Sequence, residues 1–115
     1  MGATLTSINT VLSGLPIATP TQFNKTVAAT ATPEALVATP TYVQKAYIFP
    51  LKGVRTANTG NVYLGVTSAN DTQPWLLTPS TTPIVIEAPL GRKINLAAFY
   101  VDVATAGDGV VVWYW

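Results

Sequence analysis

The sequence predicts an all-β fold, an antiparallel β-sandwich of jelly-roll-like type with an extended N-terminal arm. Three observations carry this expectation. Short segments rich in Val, Ile, Tyr and Trp alternate with turn clusters of Gly, Pro, Asn, Asp and Thr. No segment repeats its apolar residues at the 3.6-residue period of a helix. Nine prolines and eight glycines in 115 residues interrupt the chain too often for long elements. Seven or eight short strands fit either a sandwich or a barrel, and the length fits one domain.

The first forty residues are broken by Gly14, Pro16, Pro20, Pro33 and Pro40. Two segments there, 5–12 and 23–30, are short enough to be strands. In 5–12, Leu5, Ser7, Asn9 and Val11 share one face, and Thr6, Ile8, Thr10 and Leu12 the other. Leu15, Ile17 and Phe23 are too apolar for a free tail. Residues 1–25 are therefore expected as an arm, packed on a neighbouring subunit or opening the domain's own sheet. The sandwich is expected over 26–115.

The later elements are clearer. Residues 42–51 are aromatic and β-branched, with Val43, Lys45, Tyr47 and Phe49 expected on one face and Tyr42, Gln44, Ala46 and Ile48 on the other. Pro50 marks a strand end or an edge. Asn58 and Gly60 fit a tight reversal. Residues 62–66 read as a strand with Val62, Leu64 and Val66 together. A polar loop at 67–73 leads to Pro74-Trp75-Leu76-Leu77. Residues 84–87 form a strand with Ile84 and Ile86 inward. Residues 94–98 read as a short strand or one helical turn. Residues 99–103 place Phe99, Val101 and Val103 on one face, 104–109 turn, and 110–115 close the chain as an aromatic strand.

The composition argues against chemistry. The chain has no histidine and no cysteine, and its carboxylates are Glu34, Asp71, Glu87, Asp102 and Asp108. The usual acid–base group near neutral pH and the usual soft nucleophile are both missing. The serines and threonines have no histidine base, and no lysine stands out as a partner. Asp102 and Asp108 flank one turn, where Asp before Gly ordinarily serves the turn itself. No spacing matches a calcium loop or a phosphate cradle. An enzyme is not expected, nor a cofactor or metal.

Charge narrows the partners. Charged residues are 10% of the chain, against about 25% in soluble domains. Excess apolar surface on so small a domain is expected to lie in subunit interfaces. The six basic residues are scattered, so no nucleic-acid footprint is expected. No run approaches the roughly 20 apolar residues of a membrane span. Residues 1–6 lack the features of a secretory signal. Gly2 and Thr6 fit the myristoylation pattern, a coincidence outside a eukaryotic host. Without a secretory signal, the N-x-T patterns at Asn24 and Asn70 carry no weight.

Aromatic residues are the positive signal. Trp75 follows Pro74 on a loop, and Trp113 and Trp115 share a face of the last strand, opposite Tyr114. Such residues fill cores, anchor interfaces or stack on sugars. The interface candidates are Leu5, Ile8, Leu12, Leu15, Ile17, Phe23, Trp75, Trp113 and Trp115.

The order of motifs over residues 27–115 adds a resemblance. A strand Tyr42-Val43-Gln44-Lys45-Ala46-Tyr47-Ile48 precedes Asn58-Thr59-Gly60-Asn61-Val62-Tyr63-Leu64-Gly65. Then come Ile84-Val85-Ile86, Tyr100-Val101-Asp102 and Ala106-Gly107-Asp108-Gly109-Val110. This series resembles small β-sandwich structural proteins of tailed bacteriophage virions. The resemblance implies a capsid decoration (cement) protein on the head surface, bridging major capsid protein subunits as a homotrimer. It implies no catalytic site. The alternatives are a tail or head-fibre component that binds a glycan receptor, and a carbohydrate-binding module.

Overall fold

The computed structural model describes residues 19–115. The expected strand at 5–12 and the candidates Leu5, Ile8, Leu12, Leu15 and Ile17 lie outside the described residues. Twelve strands follow in chain order: β1 (Thr21–Thr26), β2 (Glu34–Ala35), β3 (Tyr42–Val43), β4 (Lys45–Phe49), β5 (Leu51–Gly53) and β6 (Thr56–Ala57), then β7 (Val62–Gly65), β8 (Trp75–Leu77), β9 (Ile84–Glu87), β10 (Ile94–Asn95), β11 (Tyr100–Val103) and β12 (Gly109–Tyr114). One 3₁₀ turn, Leu96–Ala98, follows β10. Asn95 caps it by accepting a hydrogen bond from the Ala97 amide.

Two antiparallel four-stranded sheets make an all-β sandwich. The first runs β1-β12-β4-β9 and the second β2-β11-β7-β8. Two small ribbons, β10-β3 and β5-β6, flank them. Alternation places the core. Ala46 and Ile48 of β4, Val110 and Val112 of β12, and Ile84 of β9 face Val62 and Leu64 of β7, Val101 and Val103 of β11, and Leu77 of β8. Each buried Val, Leu or Ile contributes about 1.5–3 kcal/mol.

Several expectations shift in detail. All six residues of β1 pair with β12, from Thr21 opposite Tyr114 to Thr26 opposite Gly109. Residues 21–25, expected in the arm, therefore belong to the sandwich. The strand also stops earlier than residue 30. The 42–51 segment does not keep one alternation. Val43 is buried, and so are Ala46 and Ile48, so the inward face changes parity at Gln44. The chain bends there between β3 and β4, yet its backbone stays paired. The Gln44 amide donates to Trp115 O at 2.7 Å, and its carbonyl accepts from Ala88 N at 2.8 Å. Val66, expected inward with Val62 and Leu64, lies past the end of β7 and is exposed.

Candidate functional site

Two features lie at opposite ends of β7. Before its start sits a buried polar clasp. Asp108 is fully buried, and its carboxylate accepts hydrogen bonds from Thr59 N at 3.0 Å and Gly60 N at 2.8 Å. Lys52 Nζ lies 3.6 Å from the same carboxylate. Beside it, the Asn58 side chain donates to Gly109 O at 2.8 Å and accepts from Gly109 N at 3.0 Å. The clasp ties the loop before β7 to the turn before β12. Sequence reasoning gave Asp108 to its own turn. Its amide does close that turn onto Thr105 O, but the carboxylate reaches across to the other loop. Lys52 was not singled out, because the ion pair spans 56 positions that nothing in the sequence brings together. Asp102, also buried, accepts from the next amide, Val103 N, at 2.8 Å.

Past the other end of β7 is an apolar cleft of about 480 Å³. Its sides are strand edges: β9 at the border of the first sheet and β8 at the border of the second, each paired on one side only among the described residues. Leu64, Ile86 and Phe99 form the more buried floor, and Val66, Trp75 and Val85 the rim. Those rim side chains are 66%, 51% and 44% exposed. Thr67, Thr72 and Glu87 are the polar lining.

The cleft wall is held from behind. Gln73 is buried, and its side-chain amide donates to Thr67 O at 2.6 Å and Ala69 O at 2.9 Å. The Thr67 and Thr72 hydroxyls also bond to each other. Gly65 lets this loop approach: a Cβ there would meet Gln73 Cα at 2.7 Å. The loop between β7 and β8 is therefore fixed by its own polar residues, and Trp75 projects from a set position.

The other candidates are spread around the sandwich. Phe23 is half-buried, edge-to-face with Tyr114 at 5.9 Å. Trp113 lies on the outer face of the first sheet, its ring 5.0 Å from Phe49 and its indole N–H donating to Gln22 at 2.7 Å. Trp115 packs on Tyr47 at 5.6 Å. Tyr114 packs against the core. Of the candidates among the described residues, only Trp75 lines the cleft. Val66 and Val85 went unremarked as site residues, since each reads as an ordinary strand residue.

Among the described residues, no group of three or more His, Cys, Asp or Glu side chains gathers to hold a metal ion. Among them too, no helix is long and apolar enough to cross a membrane. No protein-family model, no curated protein and no solved structure matches the chain.

Proposed function

We propose that this chain is a structural protein of a bacteriophage virion, a capsid decoration protein that binds across major capsid protein subunits and works by contact alone. The observation that carries the reading is the half-exposed apolar rim of Val66, Trp75 and Val85 on a preset cleft. Contiguous exposed apolar surface on a small, charge-poor domain marks a site where a protein partner sits. Strand order supports the same reading. Numbered along the chain, the eight strands of the two sheets run 1-8-3-6 and 2-7-4-5. That interleaving supports a jelly roll, an architecture shared by viral capsid and lectin domains. The resemblance in motif order and the low charge agree with it. A homotrimer is the assembly we favour, since closed symmetry lets one patch meet several shell subunits at once.

The test is attachment. Purified protein is mixed with heads that lack it, and bound protein is measured by sedimentation. Saturable attachment with slower heat-induced head opening is expected. Absence of attachment to heads of the encoding phage would count against the proposal. A second reading, a tail or head-fibre component that binds glycan, draws on Trp75 standing half-exposed beside Thr67, Thr72 and Glu87. A glycan-array signal abolished by Trp75→Ala would favour it.

A further inference from the structure

We infer that the cleft between β8 and β9 receives the N-terminal segment, residues 4–17, of a second copy of this chain. The inference rests on the self-association part of the proposed function, and it names the contact that carries it.

The shape of the cleft selects the kind of occupant. Two strand edges, each with one side unpaired among the described residues, flank an apolar trough. An extended segment satisfies both features: its backbone pairs with a free edge while alternate side chains fill the trough. A compact polar ligand would use neither.

The composition of the segment matches. No charged side chain occurs before Lys25, while Leu5, Ile8, Val11, Leu12, Leu15 and Ile17 supply apolar groups. Entry into the cleft therefore strips water from no ion of the segment itself, and Glu87 is the one charged side chain of the lining that it would cover. The polar lining of the trough, Thr67, Thr72 and Glu87, leaves its apolar walls free for such a segment.

The path of the chain fits as well. Thr21 is level with Tyr114, Tyr114 with Ala46, and Ala46 with Ile86. The chain thus enters β1 at the end of the sheet where the cleft lies, three strand spacings or about 15 Å away. Twenty residues reach up to about 65 Å when extended. Pro20 holds Thr19 extended as well. β1 is also the opposite border of the first sheet from β9, so docking on the same copy requires a reversal across the sandwich end. Successive copies donating a segment to the next close a ring.

The experiment uses the full-length protein, with mass in solution read by light scattering after gel filtration. The wild type is expected to run as an oligomer. Two variants are expected to fall to the single-chain mass: Ile8→Asp in the segment, and the pair Val66→Lys with Val85→Lys on the rim. The rim positions are exposed, so circular dichroism is expected to keep the wild-type shape for both, with the melting temperature lowered only by loss of the oligomer and no longer dependent on protein concentration. A monomeric wild type overturns the inference, as does an oligomer that survives either variant. Glycan binding that the rim pair abolishes, with the oligomer intact, also overturns it. Head attachment by a monomeric wild type would sink this contact and leave capsid decoration standing. Loss of the oligomer in both variants, with no form attaching to heads, would do the reverse.

Discussion

Replacing Asp108 with alanine is expected to cost about 3 kcal/mol, and the magnitude follows from what the carboxylate touches. It is fully buried and accepts from Thr59 N and Gly60 N. Alanine removes a charged acceptor from two partly buried hydrogen bonds, each contributing about 1.5–3 kcal/mol at most. Lys52 adds little, because its side chain is about one-third exposed and 3.6 Å away, and it can return to water. For a domain of this size, about 4 °C of melting temperature accompanies each kcal/mol, so Asp108→Ala is expected to melt about 12 °C lower. Asp108→Asn keeps one acceptor oxygen and turns an NH₂ toward the amides, which places it between the two. Lys52→Met is expected to cost under about 1 kcal/mol. Chemical denaturation of the four proteins at pH 7 measures all of this. If Asp108→Ala cost less than 1 kcal/mol, or Lys52→Met cost as much as Asp108→Ala, the backbone amides would not be what the carboxylate holds.

Three further expectations test other parts of the fold. A Cβ at Gly109 would lie 1.9 Å from Lys25 O and 2.7 Å from Thr26 Cα. Gly109→Ala should therefore push β1 off β12, seen as faster hydrogen exchange in 21–26, and slow exchange there would contradict the close approach. Removing residues 2–18 should leave the sandwich folded, with the melting temperature of the single-chain variants, whereas removing 2–26 also deletes the edge strand and should cost several kcal/mol more by the loss of its pairing and of Phe23. Glu34 is held below its ordinary 4.5 first by a hydrogen bond from Lys25 and then by one from Ala28 N, against some desolvation. Its contribution is present above that ordinary value and is lost as pH falls through the lower folded one. Glu34→Gln should cost about 0.5 kcal/mol at pH 7, the scale of a partly exposed pair. The gap to wild type should narrow at pH 3, and an unchanged gap would discount the pair.

Much of the fold was legible because alternation and turn residues are local signals. Ile84, Val101 and Val103 lie inward where the pattern put them, and 94–98 splits into a two-residue strand and a helical turn, joining the two readings it allowed. The parity change at Gln44 was not legible. It depends on backbone bonds to Trp115 and Ala88, which are distant in sequence. β1 was partly hidden because the interruptions at Gly14, Pro16 and Pro20 made this region read as an arm, although its pairing is supplied by the far end of the chain. The site was legible only at Trp75. The cleft exists because two sheet borders meet, and Val66 and Val85 acquire a role only from that meeting. The clasp was invisible for the same reason: Lys52 comes from β5, Asn58 from the loop before β7 and Asp108 from the turn before β12.

If the chain is the capsid decoration protein proposed above, counting its copies in purified particles of a phage that encodes it, by quantitative mass spectrometry against the major capsid protein, tests that proposal most directly. A protein that works by covering its neighbours on a shell should be present in hundreds of copies, at a fixed ratio set by the shell's symmetry. Absence from the particle, or a few tens of copies confined to the tail, would contradict it.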